Sequence, residues 1–207
     1  MSYKNFLFDL DGTLVNSAPG IEDSFYKAYL NIYKKDCPIS ITDFIGPPIE
    51  KILYKVNGEL NNLTIKKFID KFKINYDSKG YLKSFLYDDV DMVLKILSKN
   101  KNLFIVTNKR KKPTNLILDY LSIGKYFKEI CCPDMFENKF HNKEDQVFSL
   151  LQRNSLQINK TIMIGDSEQD GFAAEKNELD FVLVDYGYGD YRNFKFRISK
   201  INKLINI

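Results

Sequence analysis

Hydrophobic positions along this chain follow two periods that alternate. Short continuous apolar runs at Phe6–Phe8, Leu103–Val106, Ile130–Cys132, Ile162–Ile164 and Phe181–Val184 predict buried strands. Between them lie helical stripes: Val90, Val93, Leu94 and Leu97; Leu116, Ile117, Tyr120 and Leu121; Val147, Leu150 and Leu151. Strands alternating with helices predict a parallel sheet covered on both faces, a Rossmann-like α/β core.

One interval breaks the alternation. From about Ala18 to Phe85 only helical periodicity is present, in three stripes. They are Ile21, Phe25, Ala28, Tyr29 and Ile32; Ile49, Ile52, Leu53 and Val56; and Ile65, Phe68, Ile69 and Phe72, punctuated by Gly46-Pro47-Pro48 and Asn57-Gly58. A helical block inserted straight after the first strand reads as a small all-helical cap, 16–85, on a core made of 1–15 and 86–207. The alternative is that these helices simply flank the sheet.

Composition narrows the class. With 44% hydrophobic and 14% aromatic residues among 207, the chain can bury a real core, which excludes wholesale disorder. No apolar run approaches the roughly 18 residues of a membrane span. The apolar triplet Phe6–Phe8 runs straight into Asp9 and Asp11, unlike a secretory leader. Cys37, Cys131 and Cys132 form neither a disulfide framework nor a zinc spacing, and a reducing cytoplasm is expected. The net charge of +4 comes from 31 basic residues interspersed with 27 acidic ones. That balance argues against a nucleic-acid partner and hints weakly at an anionic ligand.

Chemistry concentrates at the strand ends, where ligands of parallel α/β sheets bind. The first predicted strand runs into Asp9-Leu10-Asp11-Gly12-Thr13. Two carboxylates across a tight turn repel unless a cation intervenes, and hard oxygen ligands favour Mg²⁺. Alone, the pair fits a turn-forming Asp-Gly equally well. A second acidic strand end, Gly165-Asp166-Ser167-Glu168-Gln169-Asp170, would place Asp166 and Asp170 on one face of a helix starting there. Asp166 or Ser167 as a plain helix N-cap is the competing reading. The third end, Thr107-Asn108-Lys109, offers a hydroxyl, an amide and backbone N–H groups suited to phosphate oxygens. Lys109-Arg110-Lys111-Lys112 follows, with Pro113 read as the first helical residue. Four cations at the positive end of a helix call for an anion there, or else form a solvated loop.

Together these three strand ends resemble the haloacid dehalogenase-like hydrolase superfamily. Asp9 to Thr13 looks like its first motif, Thr107 its second and Gly165-Asp166 through Asp170 its fourth. The third is a lysine upstream of the fourth; Lys143, heading a helix, fits better than Lys139. Phe44 to Glu50, Tyr76 to Tyr87 and Val184-Asp185-Tyr186-Gly187-Tyr188-Gly189 are similar to segments of its phosphoglycolate phosphatase-like subfamily, and the helical block sits where a type-1 cap does. Asn16 stands where Asp is commoner, and the helix after Lys143 lacks a frequent proline.

The resemblance implies a Mg²⁺-dependent phosphatase of a small phosphorylated metabolite acting through an aspartyl-phosphate. Asp9 would be the nucleophile and Asp11 the general acid and base. Thr107, the Asn108 backbone and Lys143 would bind the phosphoryl oxygens. Mg²⁺ would be held by the Asp9 carboxylate, the Asp11 backbone carbonyl and Asp166, with Asp170 behind them or on the metal. Asp11 argues against dehalogenation, since a halide leaves unprotonated. A phosphomutase and a non-catalytic binding protein on the same fold stay open. The oligomeric state expected is a monomer or weak homodimer, with no membrane or nucleic-acid partner. In the family the cap selects the leaving group, but nothing in the sequence ranks Glu22 or Lys51 above other cap polars. His141 reads as a solvent-facing loop residue.

Overall fold

The structure is a computed structural model and describes residues 2–137, 140–189, 194 and 196–207. The chain divides into two compact units, one of Met1–Asn16 with Phe85–Ile207 and the other of Ser17–Ser84.

The first unit is built on a six-stranded sheet of β1 (Asn5–Phe8), β4 (Asn102–Val106), β5 (Glu129–Cys131), β6 (Thr161–Gly165), β7 (Asp180–Val184) and β8 (Arg197–Ile198), in the order β5-β4-β1-β6-β7-β8. Every pairing is parallel. Strand β1 is central, with Phe8 in register with Ile105 on one side and Ile164 on the other. All four of its residues are buried, as expected for a strand covered on both faces. Buried Asn5 is satisfied laterally: it donates to Thr161 Oγ1 (3.1 Å) and accepts from Asn102 Nδ2 (2.8 Å).

The helices are α4 (Val90–Leu97), α5 (Lys111–Tyr120), α6 (Lys143–Arg153) and α7 (Glu168–Lys176). Leu7, Phe104 and Met163 share one core cluster with Val147 and Leu150 of α6 and Ala173 and Ala174 of α7. Alternation along β1 turns Phe6 and Phe8 to the other face, where Phe8 meets Phe127 edge-on at 6.4 Å. A two-stranded antiparallel ribbon of β2 (Val15–Asn16) and β3 (Phe85–Leu86) pairs the segments flanking the insert.

Three expectations shift. The Ile130–Cys132 strand is observed as Glu129–Cys131, leaving Cys132 just beyond the ladder. Helix α5 starts at Lys111 rather than Pro113, because the Asp134 carboxylate accepts the Lys111 N–H (2.7 Å). Pro113 falls in the first turn, where a missing N–H still costs nothing. Helix α7 starts at Glu168, so Asp166 lies outside it. The three cysteines are free thiols, and among the described residues no helix is long and apolar enough to cross a membrane.

The second unit consists of α1 (Ala18–Tyr33), α2 (Ile49–Asn57) and α3 (Asn62–Ser78) with short 3₁₀ turns. Its core follows the expected stripes: Phe25, Tyr29, Ile52, Leu53, Ile65 and Phe68 are buried, and Phe25 and Phe68 meet at 4.9 Å. The α1 start packs directly on the turn after α3. A Cβ on Gly20 would stand 2.2 Å from the Gly80 carbonyl oxygen. Alanine would favour the helix by up to about 1 kcal/mol, but a backbone atom cannot yield as a side chain can. Gly20→Ala is therefore expected to be destabilising, with overpacking of about 1–3 kcal/mol outweighing the helix gain, read as a lower denaturation midpoint; an unchanged or higher midpoint would show that the packing is loose.

Candidate active site

The site is assembled at the carboxyl ends of β1, β4 and β6. Asp9 follows β1 directly, and its N–H continues the ladder to the Ile164 carbonyl (2.9 Å). Its carboxylate is buried, and Oδ1 accepts from Lys143 Nζ at 2.5 Å. Oδ2 carries no hydrogen bond among the described residues. The same ammonium reaches Asp170 Oδ1, also at 2.5 Å. Lys143 is the first residue of α6, placed there because the Asn142 side chain caps the helix by accepting the Asp145 N–H (2.8 Å).

Asp170 has a second task. Its Oδ2 accepts from the Ser167 N–H (3.1 Å) and hydroxyl (2.6 Å), closing a capping box at the start of α7. The N-cap and acidic-cluster readings of this segment therefore hold together. Asp166 and Asp170 do not share a helix face, because Asp166 belongs to the strand exit. They converge because that exit and the first turn of α7 fold toward the same point. Asp166 is tied down by the Thr13 hydroxyl on Oδ1 (3.3 Å) and the Tyr188 N–H on Oδ2 (2.7 Å). The Asp9–Thr13 turn wraps it closely: Gly12 adopts φ +87°, and a Cβ there would lie 2.2 Å from Asp166 Oδ2.

Asp9, Asp166 and Asp170 thus bring carboxylate oxygens within 4.8 Å of one another. Burial, reinforced by the neighbouring Asp170 and Asp166, raises the Asp9 carboxyl well above its ordinary range, while Lys143 pulls against that rise. Burial and the adjacent Asp170 push Asp166 up to about 7. Burial also opposes the charge on Lys143, but the Asp170 and Asp9 carboxylates outweigh it and hold the ammonium form. Asp11 pairs with Lys109, whose Nζ lies 2.8 Å from Oδ2. Among the described residues, these four carboxylates, once fully ionised, set against the two ammonium groups would leave two negative charges in excess. A divalent cation that prefers oxygen ligands fits this donor set.

Thr107 and Asn108 sit at the exit of β4, next to β1. The buried Thr107 hydroxyl oxygen accepts the Lys109 N–H (3.1 Å), leaving its own proton to donate. Among the described residues the basic run meets carboxylates rather than solvent alone: Lys109 pairs with Asp11, and the Lys111 N–H donates to Asp134. Lys139 lies outside the described residues. The sequence reading missed the Lys109–Asp11 pair and Gln146, which donates to Asn108 Oδ1 (3.3 Å). The demand of four cations for an anion was the signal for the first. The second could have been found from Gln146 standing three residues after Lys143, on the same face of α6.

The chain belongs to the haloacid dehalogenase-like hydrolase family, whose model matches residues 6–184. A 5′-nucleotidase from Pseudomonas aeruginosa is 27% identical, over 91% of this chain and 86% of the relative. A phosphoglycolate phosphatase from Aquifex aeolicus is 28% identical, over 88% of this chain and 84% of the relative. A tyrosine-protein kinase from Mycobacterium tuberculosis is also 28% identical over 88% of this chain, which spans 62% of that relative. The crystal structure of a predicted phosphatase from Clostridium acetobutylicum superposes with a TM-score of 0.87 at 28% identity, covering 100% of this chain and 98% of that one.

The raised Asp166 carboxyl contributes to the pH response of chelated protein in the same direction as the raised Asp9. The folded-state pKa of Asp166, about 7, exceeds the ordinary 3.8 of an unfolded carboxyl, so the folded state binds the proton more tightly. Stability from this group is full below about 3.8 and declines until pH reaches about 7. In chelator, raising the pH from 5 to 7.5 should lower the unfolding free energy by on the order of 2 kcal/mol, seen as a falling Tm in calorimetry. Added Mg²⁺ should flatten the profile, and a Tm that rises over this range would contradict it.

Proposed function

We propose that this hydrolase is a Mg²⁺-dependent phosphatase acting on a small phosphorylated metabolite. The observation that carries the reading is the state of Asp9. One carboxylate oxygen is held by Lys143 and the other has no protein partner among the described residues, at the carboxyl end of the central strand. A carboxylate fixed on one side and open on the other is poised as a nucleophile. Phosphoglycolate phosphatase and 5′-nucleotidase among the relatives support ester hydrolysis, and the Ser17–Ser84 unit is read as the cap that chooses the leaving group.

Asp9 attacks phosphorus in line with the ester oxygen. The P–O ester bond breaks, an aspartyl-phosphate forms, and the leaving alkoxide takes a proton from Asp11. Asp11 then removes a proton from water, which attacks phosphorus and frees Asp9 and inorganic phosphate. Charge spreads over the phosphoryl oxygens at the transition state. Lys143, the Thr107 hydroxyl and the Asn108 N–H supply donors to those oxygens. Asp9, Asp166 and the Asp11 carbonyl would hold Mg²⁺, which when bound neutralises phosphoryl charge. Asp170 acts from behind, since Lys143 and Ser167 already engage both of its oxygens.

The test is phosphate release from a panel of monoesters and nucleotides with Mg²⁺ and with chelator. Asp9→Asn is expected to lose at least about a thousandfold in kcat, and a variant keeping a tenth of the activity would remove Asp9 from this role. Asp11→Asn is expected to lose far more turnover on alkyl than on nitrophenyl esters, whose leaving group needs no proton. Equal losses on both would argue against its acid role.

A further inference from the structure

We infer that Gln146 is a positioning residue of the phosphoryl site, acting through Asn108; the inference rests on the phosphatase reading above. Gln146 is the fourth residue of α6 and is buried, at 1% exposure. Its Nε2 donates to Asn108 Oδ1 at 3.3 Å, while its Oε1 is buried without a hydrogen-bond partner among the described residues. Stability does not explain an amide here. Leaving a buried carbonyl unpaired costs at least as much as the one neutral hydrogen bond returns. An apolar side chain of the same size would serve the core at least as well.

The glutamine makes sense through what it holds. Asn108 is an exposed loop residue, free in principle to take many rotamers, yet its amide is fixed at both ends. Oδ1 accepts from Gln146, and Nδ2 donates to Gln169 Oε1 at 3.0 Å. The three amides form a ladder joining the exit of β4 to the first turns of α6 and α7. Those turns also carry Lys143 and Asp170. The Asn108 N–H donates to no acceptor among the described residues, so the ladder holds a loop whose backbone donor is left for a ligand. A donor fixed before substrate arrives costs no reorganisation at the transition state.

The test compares wild type, Gln146→Leu, Gln169→Leu and Asn108→Ala, with p-nitrophenyl phosphate as substrate and melting followed in parallel. Gln146→Leu is expected to melt no lower than wild type while kcat falls about fivefold to tenfold, with KM within about twofold. In the Asn108→Ala background the same change should cost less than about twofold, since the residue acts through Asn108. Gln169→Leu, an exposed change with little folding risk, should lose about twofold to threefold in kcat and so tests the ladder even if Gln146→Leu folds poorly. Wild-type kcat in both Gln variants, an undiminished loss in the Asn108→Ala background, or activity lost only in step with melting would each overturn the inference. Wild type inert toward every ester would instead overturn the phosphatase reading itself.

Discussion

The ammonium group of Lys143 is the element on which the rest of the site depends. It lies in direct contact with two buried carboxylates, Asp9 and Asp170, on a side chain that is itself 4% exposed. Removing such charges from water costs several kcal/mol each, repaid only by close geometry and further hydrogen bonds. Without the lysine, three carboxylates would crowd one small volume with nothing but protons to relieve them. With it, Asp9 is aimed, Asp170 is fixed, and the remaining negative charge is of the size a divalent cation cancels.

Each partner of that group is placed by ordinary folding physics. Asp9 arrives on a short strand hydrogen-bonded on both sides, so its backbone cannot wander. Lys143 arrives at a helix start defined by Asn142, and Asp170 at one defined by Ser167. Two helix caps and one central strand therefore set the relative positions of three charged groups far apart in sequence. Asp170 joins the two levels, because one carboxylate closes a capping box and grips the lysine. Local structure and site electrostatics here are the same bonds.

Much of this could be read before any coordinates. The apolar runs marked the central strands to within a residue, because buried parallel strands leave no polar interruption to blur them. The acidic strand ends marked where buried carboxylates converge because two such ends, far apart in sequence, can meet only on neighbouring strands. What escaped depended on distance in the chain. The Lys109–Asp11 pair spans 98 residues: the basic run calls for an anion, but no local pattern says that the anion is Asp11. Periodicity shows that Gln146 shares a face with Lys143, but not that Asn108 lies opposite. The start of α5 was misplaced for the same reason: its N-terminal acceptor, Asp134, lies 23 residues downstream.

The charged groups of the site all lie in one of the two units. Asp9, Asp11, Thr107, Asn108, Lys143, Asp166 and Asp170 all belong to the first unit, and Ser17–Ser84 supplies none of them. On the proposed reading, electrostatics of this kind would fix where a phosphoryl group is held and attacked, whatever ester oxygen it departs from. Relatives of nearly equal identity carry the names of a nucleotidase, a phosphoglycolate phosphatase and a tyrosine-protein kinase. On the proposed reading the first unit would carry the chemistry, and the choice of substrate would fall to side chains that the acidic strand ends do not reveal.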